Sequence, residues 1–225
     1  HAYFLRPGDP TKQIIYEVDP IRDGRSFTTR RVVAKQEGKA IFNTSVSFQT
    51  GENGLSHQAT MPDVPPPEEV ELDSEHLRRI TEEAGVEIRN PFISPIERRS
   101  VIKRNYLEPE ACEPVQHTWF RAPGNPGDDI TRHQTLLAYI SDFGLLGTAM
   151  FPHPITPRSS KVQEASLDHA LWLHRPFRAD EYLLYTMDSP NASQGRGFSR
   201  GSFFTRDGTL VASTAQECLL RVREA

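Results

Sequence analysis

The sequence predicts an α+β fold in which antiparallel sheets wrap a central helix. Two observations predict it: an internal repeat with a spacing of about 170 residues, and a single long apolar helix in the second half of the chain. A repeat of this length indicates two related structural units in one polypeptide. An amphipathic sheet and an apolar helix must each bury one face, and they can do so against each other.

The repeat preserves both residue type and order. Its members are Arg6-Pro7, Ile14-Ile15-Tyr16, Gly38 and Ala40–Thr44 in the first copy, and Arg175-Pro176, Leu183-Leu184-Tyr185, Gly208 and Leu210–Thr214 in the second. Because several features recur in the same order, we interpret the chain as a fused pair of related units.

Each unit has the pattern of antiparallel strands joined by tight turns. The segments 36–39 and 205–208 predict hairpin turns, the second through the favoured Asp-Gly pair. Alternate residues after each turn share one face of a strand, and that face is apolar in the first copy. We therefore expect it to be the core face in both copies. The residues are Ala40, Phe42, Thr44, Val46 and Phe48, matched by Leu210, Ala212, Thr214, Gln216 and Cys218.

A long helix is predicted over residues 130–149. Asp128 and Asp129 precede it, and acidic residues suit a helix start. The segment 136–150 is apolar on nearly all sides, which indicates a buried helix that is too short to span a bilayer.

The pattern divides the chain into an N-terminal unit at 1–49, a linker at 50–95 and a C-terminal unit at 96–225. Prolines 62 and 65–67 exclude a sheet interior from the linker, and residues 74–84, followed by Gly85, predict a short surface helix. The first unit is expected to be incomplete, because nothing in it matches the helix of the second.

Composition narrows the function classes. The net charge of −4 provides no global basic field for nucleic acid, and no stretch of 18 apolar residues predicts a membrane span. The two cysteines form no paired motif, which fits a reducing, cytoplasmic compartment. The basic run from Arg98 to Arg104 is either a solvated edge or a phosphate contact.

Three side chains are candidates for chemistry. Asp142 is the only strongly acidic residue in the apolar helix, where burial of an unpaired carboxylate would cost several kcal/mol, so a function is expected. Gln216 replaces the apolar Val46 of the first copy, either for chemistry or as an amide satisfied by backbone. Ser166 opens the predicted strand Ser166–His174 and carries no signal of its own.

Two other patterns carry less weight. Asp168, His169 and His174 invite a metal or acid–base hypothesis, but no metal-binding spacing is present and satisfied strand residues are more common. The segment Gly197–Gly201 matches G-x-S-x-G, yet a nucleophile elbow needs a following helix, whereas this segment predicts a strand.

Four separated motifs resemble the acyl-CoA thioesterase II family across nearly the whole chain. They are Tyr3–Asp9, Leu137–Phe143, Asp168–Pro176 and Ser213–Glu217. The resemblance implies a double hot-dog fold, in which each sheet wraps a central helix. It also implies a catalytic group of Asp, Ser or Thr, and Gln, at Asp142, Ser166 and Gln216.

The chemistry implied by the resemblance is hydrolysis of fatty acyl-CoA to fatty acid and CoA. Asp142 would activate a water as general base, with Ser166 and Gln216 holding that water or the carboxylate, and attack by Asp142 itself stays open. We expect acyl-CoA as the partner, no cofactor or metal, no nucleic acid, no membrane, and a homodimer or homotetramer of double hot-dogs. The alternatives are a hydratase or dehydratase, for which His133 is poorly placed, and a non-catalytic acyl-CoA-binding module.

Overall fold

The computed structural model describes residues 1–87, 94–156, 159 and 161–223. Its described part contains an eleven-stranded antiparallel sheet, three α-helices and one 3₁₀ turn. The strands are β1 Ala2–Phe4, β2 Ile15–Asp23, β3 Phe27–Gln36, β4 Lys39–Gln49, β5 Glu97–Ser100, β6 Val115–Arg121, β7 Val162–Ser166, β8 Asp168–Leu173, β9 Leu183–Ser193, β10 Arg196–Phe204 and β11 Leu210–Val222. The helices are α1 Asp73–Glu83, α2 Ile130–Ile140 and α3 Leu145–Met150, and the 3₁₀ turn is Pro67–Glu69.

The strand order is β2-β3-β4-β1-β8-β11-β10-β9-β6-β5, and β7 pairs with β11 beside β8. The repeat is visible as two ladders of matching register, β2-β3-β4 and β9-β10-β11. In the first, Tyr16 pairs with Ala34 and Ala34 with Phe42; in the second, Tyr185 pairs with Phe203 and Phe203 with Ala212. The equivalent strands β1 and β8 pair with each other, Ala2 opposite His169, and so join the two halves.

Both predicted hairpin turns are present. Backbone conformations with positive φ occur at Glu37 and Gly38 in the first turn and at Gly208 in the second. The predicted surface helix is also present as α1, displaced by one residue at each end. The prediction of these elements is confirmed. They could be predicted from the sequence because turn residues and helix stop signals determine the structure of only a few neighbouring residues.

The predicted continuous helix over 130–149 is wrong: the segment forms α2 and α3 with a turn at 141–144 between them. Gly144, the N-cap of α3, has φ +97°, a left-handed conformation, and a Cβ at this position would lie 3.0 Å from both Gln116 Nε2 and Met187 Sδ. Its carbonyl accepts a hydrogen bond of 3.0 Å from Gln116 Nε2. The apolar pattern continues through the break because both helices pack on the same sheet face.

The predicted cap at the start of this region is confirmed. Asp129 Oδ1 accepts a hydrogen bond of 2.9 Å from Thr131 N, which satisfies one of the free amides of the first turn. Further along, Leu137, Ile140 and Leu145 are essentially inaccessible to solvent. Burial of each is worth about 1.5–3 kcal/mol, so the apolar stripe holds both helices against the second ladder.

The expected core face is confirmed in the second ladder, whereas in the first it is only partly buried, at Ala40, Phe42, Thr44 and Val46. Ala212, Thr214, Gln216 and Cys218 are at most 3% exposed, although Leu210 is only partly buried. In the first ladder Phe48 remains 54% exposed. Residues 1–49, all of them described, contain strands and no helix, so no element of their own covers that face.

The segment between the ladders lies along the outer face of the second ladder. The indole Nε1 of Trp119 donates to Pro65 O at 2.9 Å, and Gln58 Nε2 donates to Gly208 O at 2.7 Å. Val70 is buried with Trp119 and Phe204 in a second, smaller core. In the part of the chain that the structure describes, no helix is long and apolar enough to cross a membrane.

Candidate active site

Asp142 lies in the turn between α2 and α3, where its side chain is exposed rather than buried. The expectation of a buried carboxylate is therefore wrong, because the helix in which it was placed is interrupted at this point. The residue before it, Ser141, is completely buried. The turn thus presents a carboxylate to solvent from a backbone that is anchored in the core.

A cavity of about 600 Å³ opens beside this turn. Its wall contains Asp142 and Ser166, together with apolar and basic residues. The apolar lining is Leu77, Phe120, Leu146, Phe151 and Met187, and the basic lining is Arg98 and Arg104. This volume lies within the range of 300–1,000 Å³ that is usual for small-molecule sites.

Ser166 ends β7, whereas the sequence placed it at the start of a strand. The chain passes from β7 to β8 at Leu167, and both strands pair with β11. Gln216 is central in β11 and only 2% exposed, and its Nε2 donates to Ser166 Oγ at 2.9 Å. The three predicted residues therefore come together in two layers: Asp142 and Ser166 on the cavity wall, and Gln216 behind Ser166.

His169 is the residue that sequence reasoning undervalued. Its Nδ1 lies 2.7 Å from Gln216 Oε1, and its Nε2 lies 2.8 Å from Ser141 Oγ. The imidazole thus connects the amide behind Ser166 to the residue that precedes Asp142. Its position could have indicated this role, because β8 lies beside β11 and His169 lies on the same face of the sheet as Gln216.

The phenol of Tyr185 forms hydrogen bonds that hold the turn carrying Asp142. Its hydroxyl donates to Ser141 O at 2.9 Å, and Thr214 Oγ1 lies 2.7 Å from it. Because the single phenolic proton goes to Ser141, Thr214 is the donor in the second bond. Burial raises the pKa of Tyr185 well above its ordinary value, and the negative charge of Asp142 raises it further, so this phenol stays protonated.

The three residues of the metal hypothesis face different partners. Asp168 accepts from Glu217 N at 2.7 Å and lies 3.0 Å from His1 Nε2. His174 Nε2 lies 2.8 Å from Ser213 Oγ. Within the described ranges no three His, Cys, Asp or Glu side chains are grouped to hold a metal ion.

The other two sequence alternatives have structural explanations. Ser199, in the G-x-S-x-G segment, is buried in mid-strand and donates to Leu145 O at 2.8 Å, as expected for a strand residue. His133 is buried with Nε2 2.9 Å from Gly127 O and Nδ1 accepting from Ala179 N at 3.0 Å. Its two ring nitrogens are therefore occupied in holding the loop before α2.

The basic run separates into cations that pair with other side chains and Arg104, whose Nη2 donates to the backbone oxygen of Glu110 at 2.7 Å. Arg98 and Lys103 both pair with Asp73, at 3.0 and 2.6 Å, and Arg99 Nε donates to Tyr182 OH at 2.9 Å. Arg104 lies with its guanidinium carbon 4.1 Å from the ring centroid of Phe151. Among the described residues no carboxylate pairs with Arg104, so its charge is available at the cavity.

Comparison with known proteins identifies the family to which the chain is similar. A family model described as acyl-CoA thioesterase matches residues 91–219, and one described as the acyl-CoA thioesterase N-terminal domain matches residues 1–49. Acyl-coenzyme A thioesterase 8 of Mus musculus is 41% identical over 240 residues, covering 99% of this chain and 72% of the mouse protein.

Solved structures extend the agreement to the fold. The acyl-CoA thioesterase II TesB2 from Mycobacterium marinum has a TM-score of 0.80 and 39% identity, covering 99% of this chain and 79% of that one. A hot-dog fold protein of unknown function from Alicyclobacillus acidocaldarius has a TM-score of 0.76 at 20% identity, covering 99% of this chain and 78% of that one. The large antiparallel sheet with its packed helices is a double hot-dog α+β fold.

Proposed function

The chain belongs to the acyl-CoA thioesterase family and is a thioester hydrolase, and we propose that it cleaves fatty acyl-CoA with a water activated by Asp142. One observation carries the proposal: Asp142 and Ser166 line the same cavity. A base and a positioning hydroxyl at one site are the groups that a hydrolytic attack requires.

In the proposed reaction Asp142 takes a proton from a water whose oxygen attacks the thioester carbonyl carbon. The tetrahedral intermediate then collapses, the carbon–sulfur bond breaks, and CoA leaves as a thiolate. A thiol has an ordinary pKa of about 8.5, so the thiolate leaves without a strong general acid. The proton held by Asp142 passes to the thiolate, the new carboxylic acid loses its own proton to solvent, and the products are a carboxylate and CoA.

Ser166 is proposed to orient the attacking water, while Gln216 orients Ser166. The expectation from the sequence was that both side chains hold the water or the Asp142 carboxylate, whereas here only Ser166 is proposed to do so. Both atoms of the Gln216 amide are already engaged, one with Ser166 and the other with His169. Gln216 is thus proposed as a positioning residue.

The two ends of the substrate have different proposed contacts. The apolar lining of Phe120, Leu146 and Met187 suits an acyl chain. The Arg104 guanidinium, at the same cavity, suits a phosphate of the nucleotide portion. We also propose that the chain consists of two units, at 1–49 and 96–225, joined by a linker at 50–95. We further propose that it forms a homodimer or homotetramer and is located in the cytoplasm.

The test is release of free thiol from a series of acyl-CoA esters of increasing chain length. Thioesterase activity requires thiol release in step with fatty-acid formation. Hydration of an enoyl-CoA without thiol release would indicate the hydratase alternative. Tight binding of acyl-CoA without turnover would indicate a binding module.

The role of Asp142 is tested by a single turnover in ¹⁸O-labelled water. General-base catalysis places the label in the fatty acid alone. Attack by Asp142 itself would pass through an anhydride, and hydrolysis of the anhydride at the enzyme carbonyl would leave the label in the Asp142 carboxyl group.

A further inference from the structure

The hydrogen-bond chain from Ser141 through His169 and Gln216 to Ser166 has a direction that is determined by the proton on one imidazole nitrogen. Each side chain in it can supply a limited number of protons: one from each serine hydroxyl, and two from the NH₂ group of the amide. The chain links the turn that carries Asp142 to the hydroxyl that shares its cavity.

We propose that His169 carries a proton on Nδ1 and that this proton makes Ser166 a hydrogen-bond donor towards Asp142 and its water. The inference rests on the proposed function and names a further positioning residue for it. His169 does not line the cavity; it acts through Gln216.

The proton count leads to this assignment. Gln216 Nε2 donates to Ser166 Oγ at 2.9 Å, which leaves Oε1 facing His169 Nδ1 at 2.7 Å. A carbonyl oxygen only accepts, so Nδ1 must be the donor. Ser166 already accepts one hydrogen bond from Gln216, and its own proton stays free for the cavity.

In the opposite arrangement the side chains keep their positions, the amide N and O of Gln216 exchange places, and the hydrogen bonds from His169 to Ser166 run in the other direction. A proton on Nε2 alone would be donated to Ser141 Oγ, and Ser141 would donate to Ala138 O at 2.9 Å. Nδ1 would then accept from the Gln216 amide, turned over, and Gln216 Oε1 would take the Ser166 proton. Ser166 would present only lone pairs to a cavity that holds a carboxylate.

The negative charge of the Asp142 carboxylate favours one of the two arrangements. An ionised Asp142 is an acceptor only, so a Ser166 proton directed into the cavity is attracted and a lone pair is repelled. Ser141, completely buried, serves either arrangement, because its hydroxyl reaches both His169 Nε2 and Ala138 O. A ring protonated on both nitrogens also keeps Nδ1 as donor, so only the neutral ring with its proton on Nε2 contradicts the assignment.

The direct test is ¹⁵N NMR of the full chain labelled at histidine, at the pH of the activity assay. The His169 signals are assigned by their loss in His169→Asn. A proton-bearing Nδ1 is the expected result, and an unprotonated Nδ1 in the wild-type chain overturns the proposal. This readout does not depend on turnover, so it stands even if the thiol-release assay shows that the proposed function is wrong.

A matched pair of variants tests the consequence for catalysis. His169→Asn keeps an amide donor at the position of Nδ1, whereas His169→Gln moves the same group to the position of Nε2. We expect kcat within about threefold of wild type for Asn and about 10- to 100-fold lower for Gln, with KM changed less than about threefold in both. Equal kcat in the two variants and the wild type would overturn the proposal, and the NMR measurement decides it if His169→Gln does not fold.

Discussion

Gln216 and Val46 occupy equivalent positions in the two ladders. Each lies two residues after a threonine on the inner sheet face, Thr214 opposite Gly201 and Thr44 opposite Val32. The amide in the second ladder bonds to Ser166 and His169, whereas the valine in the first stands on a face without a covering helix of its own. One register thus carries a polar side chain in one half and an apolar side chain in the other.

Gln216→Val imposes the first ladder's residue on the second. We expect kcat to fall about 10- to 1,000-fold, because Ser166 loses the group that orients it. The melting temperature should also fall, since Ser166 and His169 are left without this partner in the interior, at a cost of about 1–3 kcal/mol. Steady-state turnover and thermal melting on the same sample measure both effects.

The reciprocal change, Val46→Gln, is the control for that variant. Val46 is only partly buried and is not one of the residues that line the cavity, so turnover should stay within about twofold of wild type. Equal loss of turnover in the two variants would remove the special role of Gln216.

Asp142→Asn keeps the size of the side chain and removes the base. General-base assistance is worth about 10² to 10⁴ in rate, and we expect kcat to fall by that factor. Because Asp142 is exposed, the free energy of unfolding should change by less than about 0.5 kcal/mol. Asp63→Asn, another exposed carboxylate but away from the cavity, is the control, and wild-type turnover in Asp142→Asn would exclude the proposed base.

Local patterns predicted most of the fold, including both hairpin turns, the cap at Asp129 and the short helix α1. The break at 141–144 could not be predicted in the same way, because it depends on a contact with a distant strand. Gly144 approaches Gln116 and Met187, which lie on β6 and β9, and the apolar period runs on through the turn. Hydrophobic periodicity reports which face is buried and does not report where a helix is interrupted.

The candidate site was predicted in part for a similar reason. Asp142 was identified on the expectation that it is buried in a helix, whereas the structure places it, exposed, in a turn. Gln216 was identified by comparing the two copies, and Ser166 only by the family resemblance. His169 was set aside because a histidine in a strand gives no signal until the register places it beside Gln216.

Asp73 should make stability depend on pH. Burial alone would raise the pKa of this carboxyl, but Arg98, Lys103 and the amide of Ser100 outweigh burial and hold it below its ordinary value. A lowered pKa in the folded state means that the contribution to stability is present above the ordinary value of about 3.9 and is lost as the pH falls below it.

Asp73→Asn should therefore lower the free energy of unfolding by about 1.5–3 kcal/mol at neutral pH. The difference between variant and wild type should shrink as the pH falls below about 4, where the wild-type carboxyl is also neutral. Denaturant unfolding at a series of pH values measures it. A difference that is independent of pH would mean that packing, and not charge, is the contribution of Asp73.

Arg104 is the cation that we expect the nucleotide portion of the substrate to contact. It lines the cavity with Asp142 and Ser166, stacks on Phe151 and has no carboxylate partner among the described residues, unlike Arg98. Arg104→Gln should raise KM for an acyl-CoA about 3- to 30-fold, the effect of losing a charge-assisted hydrogen bond at a partly exposed position. The value of kcat should change less than about threefold, because the pantetheine arm separates the phosphates of the nucleotide from the reacting carbonyl. The same variant should leave KM unchanged for the matching acyl-pantetheine, which has no nucleotide. The KM of Arg104→Lys should lie between those of wild type and Arg104→Gln, because lysine keeps the charge but not the paired donors of the guanidinium.

Arg206→Gln, which removes an ion pair with Glu68 away from the cavity, is the control for a change of net charge alone. Equal increases in KM for acyl-CoA and acyl-pantetheine would show that Arg104 shapes the cavity and does not bind phosphate.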